Sequence, residues 1–279
     1  MKTSRREFLT LSGTGLLATS LPGVSAFANK PAADRSKFAF DLGIASYTFR
    51  KFSLEETLSM TKRLGISRIS FKSFHLPLDA SDEFIASTVA KCEDEGIELY
   101  GGGVIYMNTV EEVDNAFEYA RKAKMKMIIG VPVHELLSYT EEKVKEYGIK
   151  LAIHNHGPGD DLYPSAESAY VLIKEMNPGM GLCLDIGHTK RINRDPQQDL
   201  IDYFDRLFDI HIKDVTGASE EGATCEIGRG VIDIPSFLET VVKKKYSGTL
   251  AFEYEKDADD PLPGLAESVG YVRGVLSTI

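Results

Sequence analysis

Eight short apolar runs recur along the chain, each followed by turn residues and then by a stretch with the spacing of an amphipathic helix. They are FDLGIASY (40–47), SRISFKS (67–73), GIELYGG (96–102), MKMIIGV (125–131), IKLAIHN (149–155), GLCLDIG (181–187), DIHIKDV (209–215) and TLAFEYE (249–255). Their starts lie about 24–32 residues apart, except the last interval, which is about 40. That is the period of a strand followed by a helix. The segments between them carry helix signals. Ser53-Leu54-Glu55-Glu56 and Thr109-Val110-Glu111-Glu112 read as capping boxes, and Asp195-Pro196 sets a capping residue before a proline at the first helical position. Phe84, Ile85, Thr88, Val89 and Cys92 share one helical face, as do Leu265, Val269, Val272 and Leu276. The stretch 132–147 is the least regular, because Pro132 and His134 crowd its start.

Strands alternating with helices imply a parallel sheet, and eight is the number that closes a (β/α)8 TIM barrel. A single-domain barrel over 39–279 is therefore expected. The alternative, a doubly wound open sheet, would need a phosphate-binding glycine fingerprint after its first strand, and Gly43-Ile44-Ala45-Ser46 is not one.

The first 28 residues follow another grammar. Ser4-Arg5-Arg6-Glu7-Phe8-Leu9 precedes a moderately apolar stretch ending in Ala26-Phe27-Ala28, with Gly13, Gly15, Pro22 and Gly23 against a helix. This resembles a twin-arginine signal, residues 1–28, cleaved after Ala28 and followed by a linker over 29–38. The expected location is the periplasm, with no membrane attachment after cleavage. The formal net charge of −10 makes nucleic acid an unsuitable partner. Cys92, Cys183 and Cys225 are odd in number and form no disulfide framework.

The six histidines are not scattered. His75 follows the second apolar run, His134 the fourth, His154 and His156 end the fifth, His188 follows the sixth, and His211 lies in the seventh. In a barrel those are the carboxyl ends of the strands, where chemistry takes place. Asp185 closes the apolar run Gly181-Leu182-Cys183-Leu184, and Glu253 stands between Phe252 and Tyr254. A carboxylate in a buried parallel strand is costly unless paired or coordinated. His154, Asp185, His211 and Glu253 come from four consecutive strands and would surround one divalent cation; Mn, Co, Zn and Mg all suit a mixed imidazole and carboxylate set. Strand alternation puts His156 on the same side as His154, with Asn155 opposite. Lys72, His75, Tyr47, Phe49 and Tyr106 are candidates for the pocket wall. No cluster of Arg and Lys suited to a phosphate is evident along the chain.

LAIHNHG (151–157), LCLDIGH (182–188), FDIHIKD (208–214), EIGRGVID (226–233) and AFEYE (251–255), in this order, resemble the xylose-isomerase-like TIM-barrel superfamily, the sugar phosphate isomerase/epimerase group. The resemblance spans residues 40–276. It implies one divalent metal bound by Glu, Asp, His and Glu, onto which Asp185, His211 and Glu253 map. It also implies substrate contacts from His188 and from Arg229, in the loop after the seventh strand. The departure is His154, where epimerases of the family place a glutamate. The implied reaction is abstraction of a proton α to a sugar carbonyl through a metal-stabilised enediolate, with Glu253, His156 or His154 in the acid/base roles. Without the first glutamate, elimination on keto-glycosides or keto sugars by a lyase or hydratase is the alternative to isomerisation or epimerisation. An apurinic endonuclease and a non-catalytic sugar-binding protein are the more distant readings. The expected partner is a small-molecule carbohydrate; the oligomeric state stays open. The long loop around Cys225 and Glu226, with Gly222, Gly228 and Gly230, has the composition of a mobile lid.

Overall fold

The computed structural model describes residues 37–279. The signal, its cleavage point and nearly all of the expected linker lie outside the described residues. The barrel strands are β1 (Asp41–Ala45), β2 (Arg68–Phe71), β3 (Glu98–Met107), β4 (Met127–Pro132), β5 (Lys150–His154), β6 (Met180–Asp185), β7 (Leu207–Ile212) and, after a small hairpin of β8 (Asp214–Val215) and β9 (Thr224–Cys225), β10 (Thr249–Phe252). All neighbours in the barrel pair in parallel, and β1 closes it against β10 with Asp41 opposite Thr249 and Ile44 opposite Phe252. That closure excludes the open sheet.

The helices are α1 (Leu54–Arg63), α2 (Asp82–Glu95), α3 (Val110–Lys122), α4 (Leu137–Tyr147), α5 (Ala166–Ile173), α6 (Ile186–Arg191), α7 (Pro196–Asp202), α8 (Ile234–Lys243) and α9 (Leu262–Thr278). Both expected capping boxes form, on Ser53 with Glu56 and on Thr109 with Glu112. The irregular stretch after Pro132 becomes a short 3₁₀ turn, His134–Leu136, before α4 starts. Leu265, Val269, Val272 and Leu276 are the buried face of α9. No helix among the described residues is long and apolar enough to cross a membrane.

Two irregularities shape the carboxyl-end face. In β3 the register against β4 shifts between Gly103 and Ile105, leaving Val104 as the extra residue of a bulge. Bulges re-aim neighbouring groups; here the freed Val104 carbonyl accepts from Lys72 Nζ, and Val104 and Tyr106 both face the cavity. After β7, the long loop is tied to a buried carboxylate. The buried Asp214 carboxylate accepts from the backbone N–H of Val215 (2.9 Å), Gly228 (3.0 Å), Gly230 (3.0 Å) and Ile232 (3.2 Å). A Cβ on Gly230 would stand 2.2 Å from that carboxylate, and Gly228 has φ of +92°. These glycines serve close approach and a left-handed turn.

Candidate active site

A cavity of about 370 Å³ opens at the carboxyl ends of the strands, lined by Tyr47, Lys72, Val104, Tyr106, His154, His156, His188, Glu253 and Glu255. At its floor the four candidate ligands meet. His154 Nε2 lies 3.1 Å from His211 Nδ1 and 3.5 Å from Asp185 Oδ2, and His211 Nδ1 lies 3.3 Å from Glu253 Oε2. One donor atom from each of the four falls within 4.8 Å of every other. All four residues are buried.

The groups around them settle their protonation. Burial pushes His154 down to about 3, leaving a neutral imidazole with a free lone pair. Burial opposes charge on His211 as well, but the Glu253 carboxylate outweighs it and raises that imidazole. Burial likewise opposes ionisation of Asp185 and Glu253; His188 and Lys213 hold Asp185, and Lys213 and His211 hold Glu253, below the usual carboxylate range.

Lys213 is the functional residue that the sequence reading missed. Only 3 % exposed, it places Nζ 2.9 Å from Asp185 Oδ2 and 2.7 Å from Glu253 Oε2, with Glu255 as a third partner. Strand alternation carried the signal: Asp209, His211 and Lys213 are spaced by two and all turn inward. Asn155 was also passed over. Its side chain turns away from the cavity as expected, accepts from Asp185 N (2.9 Å) and donates to Asp185 O (3.3 Å) and Thr189 Oγ1 (3.2 Å), tying the end of β5 to the end of β6.

The four residues fit a divalent cation. Asp185 Oδ2 is buried and accepts no aligned hydrogen bond, despite its ion-pair contact with Lys213. Three carboxylates against the Lys213 ammonium and the raised His211 imidazole still leave net negative charge at the floor. A carboxylate oxygen offers two lone-pair directions, so Asp185 and Glu253 can serve Lys213 and a cation together. Beneath, Asp209 Oδ2 lies 3.8 Å from His211 Nε2 and is held by the Tyr100 hydroxyl at 3.2 Å. At that distance His211 Nε2 has no hydrogen-bond partner among the described residues, and Asp209 acts on the imidazole as a nearby charge.

His156 stands over the tetrad, its ring 4.5 Å from that of His154. The Tyr106 hydroxyl lies 3.2 Å from His156 Nε2, and Asp160 Oδ2 lies 3.3 Å from Nδ1. Burial lowers the His156 and His188 imidazoles and, on the opposite wall, the Lys72 ammonium. Three candidates, His75, Arg229 and Phe49, are not brought to the cavity. His75 is sealed beneath it, with Nδ1 2.9 Å from Ser46 Oγ and Nε2 3.0 Å from Thr57 Oγ1, so it braces the β1 and β2 loops. Arg229 points to solvent and pairs bidentately with Glu267 on α9, its side chain 63 % exposed, because the Asp214 anchor turns its backbone outward. Phe49 is fully buried in the core, and His134 bonds to the Leu162 carbonyl outside the cavity.

The closed parallel barrel, with a histidine and carboxylate cluster at the carboxyl ends of its strands, defines the chain as a (β/α)8 TIM barrel with a candidate metal site. Residues 58–275 match the family model described as xylose isomerase-like TIM barrel, and the chain belongs to that family. Among curated proteins it is 28% identical over 145 residues to the rhizopine catabolism protein MocC of Rhizobium meliloti, covering 47% of this chain and 44% of that one. It is 30% identical over 130 residues to inosose dehydratase of Salmonella agona (strain SL483), covering 40% and 42%. The matches thus span less than half the length of either relative. Among solved structures, an IolI protein with a bound zinc atom superposes with a TM-score of 0.72 at 17% identity over 86% of this chain and 99% of that one. An L-ribulose 3-epimerase superposes with a TM-score of 0.70 at 17% identity, over 86% and 95%. Carbohydrate-acting enzymes are thus prominent among its likenesses.

Proposed function

We propose that this chain is a divalent-metal-dependent carbohydrate enzyme that removes a proton α to a sugar carbonyl, and that the reaction proceeds to elimination. The observation that carries this reading is the floor of the cavity, where His154, Asp185, His211 and Glu253 converge with a neutral imidazole in the place of a second glutamate. A cation held by these four would supply electrostatic stabilisation of the negative charge that develops on the substrate oxygen.

The chain's own residues supply the rest. The carboxylates lining the cavity are Glu253 and Glu255, both from the end of β10. Exchange of a proton between opposite faces of a sugar calls for acceptors on both sides; elimination needs one base and one acid. Glu253 and His156 are the acceptors. Lys72 and Tyr106 come from the ends of β2 and β3 and offer protons. Burial raises the Tyr106 phenol, which therefore keeps its proton for a departing oxygen. The inosose dehydratase among the relatives supports this outcome.

Isomerisation or epimerisation is the second reading, with His156 in place of the missing carboxylate; its lining position beside Glu253 and the epimerase fold favour it. Export by the twin-arginine route, the reading of residues 1–28, would place the substrate outside the cytoplasm. The test is incubation of Mn²⁺-loaded protein with a panel of keto sugars and keto-inositols in D₂O. Elimination gives an α-hydroxy enone absorbing in the ultraviolet, or the 1,2-dicarbonyl it tautomerises to, with deuterium at the carbon that lost its oxygen; epimerisation gives deuterium at the α-carbon and no dehydrated product. Absence of both deuterium and dehydrated product across the panel refutes both.

A further inference from the structure

A second chamber of about 360 Å³ adjoins the first beyond His188 and Glu255, which line both. Its wall holds Arg191, Lys213 and Lys256, with the turn of the β8–β9 hairpin as a roof. These cations are remote in sequence, which is why no basic cluster is legible along the chain. Three cations face one carboxylate, Glu255, in a protein whose formal charge is −10. Lys213 is committed to Asp185, Glu253 and Glu255, and Lys256 pairs with Glu226 at 2.7 Å. Arg191 is different. Its Nη2 donates to the Glu220 backbone carbonyl (2.8 Å), its Nη1 lies 3.5 Å from His188 Nδ1, and its Nε is buried without a partner. Among the described residues no carboxylate lies within ion-pair distance of its guanidinium. A guanidinium is the side chain best matched to a planar or tetrahedral oxyanion.

We propose that this chamber is an oxyanion subsite: the substrate carries a carboxylate or phosphate on the part remote from the reacting carbon, bound by Arg191 with Lys256 at the rim. The proposal rests on the carbohydrate reading above and narrows its substrate class to acidic sugars. His188 at the junction sets the order of the two parts, with the carbonyl end over the tetrad and the anionic end beside Arg191.

The test is calorimetric titration of the Mn²⁺-loaded protein with glucose, galactose and mannose, each against its uronate and its 6-phosphate. At least one acidic form is expected to bind about tenfold or more tighter than its parent hexose, the worth of a charge-assisted hydrogen-bond pair. Preference for the uronate identifies a carboxylate, and preference for the 6-phosphate a phosphate. Arg191→Gln should abolish the preference and leave the neutral hexose unchanged. Lys256→Gln, which spares the Arg191–Glu220 anchor, should lower it about two- to fivefold. Equal affinity for acidic and neutral forms, or a preference that survives Arg191→Gln, overturns the subsite and leaves the carbohydrate reading standing. Failure of every sugar to bind overturns that reading, and the subsite with it.

Discussion

Lys213→Met is the most informative single perturbation of this site. The ammonium stands between the buried carboxylates of Asp185 and Glu253, at 2.9 and 2.7 Å, with the half-buried Glu255 beside it. At an effective dielectric of about 20, each of the two buried contacts carries roughly 6 kcal/mol of gross attraction. Most of that is offset by desolvation, and removing one partner of a buried pair costs about 3–5 kcal/mol because the other charge is left behind. In a domain of this size that corresponds to roughly 6–20 °C in Tm. The loss should shrink when a divalent cation is added, since the cation neutralises the same oxygens, and Mn²⁺ should bind more tightly to the variant than to the parent chain. Urea unfolding with EDTA and with Mn²⁺, four curves in all, reads both quantities. If the variant in EDTA matches the parent, or if Mn²⁺ stabilises the two equally, then Lys213 and a metal do not share those carboxylates and the electrostatic reasoning fails.

Three further predictions follow from particular contacts. Asp209→Asn should lower Mn²⁺ affinity by about tenfold at most with little change in cavity shape, because it removes the charge that faces His211 Nε2 at 3.8 Å; metal titration in competition with a chelator measures it. Burial lowers the His75 imidazole, so near its ordinary pKa of about 6.5 the unfolded chain takes up a proton that the native state refuses. Its contribution to stability is therefore full above that pH and declines below it, and His75→Gln should flatten the acid limb of the stability–pH curve while lowering the plateau. Arg229→Gln should change kcat/KM less than about twofold and stability by under about 1 kcal/mol, since its partner Glu267 is on the surface; a large loss in kcat/KM would put Arg229 at the substrate after all.

The sequence disclosed the barrel because its two periodicities are both strict. Buried parallel strands leave apolar runs, and capped amphipathic helices separate them. The convergence of four side chains was legible for the same reason: Asp185, His211 and Glu253 interrupt runs that would otherwise be apolar throughout, and His154 ends one. Lys213 obeys the period of two from His211, yet a lysine at a strand end reads as solvent-reaching unless three carboxylates are known to await it. Loops have no period. The position of Arg229 depends on four N–H groups gathered by Asp214, and the burial of His75 depends on how two connections fold over it. The Arg191 chamber joins α6, the β8–β9 hairpin and the segment after β10, and no local pattern announces it.

The proposed chemistry depends on one divalent cation held by His154, Asp185, His211 and Glu253. Metal analysis of the purified chain after loading with Mn²⁺ and desalting, with Asp185→Asn beside it, is the decisive measurement. About one ion per chain is expected in the parent and none retained in the variant. Three ions per chain, or one ion that survives Asp185→Asn, would contradict it.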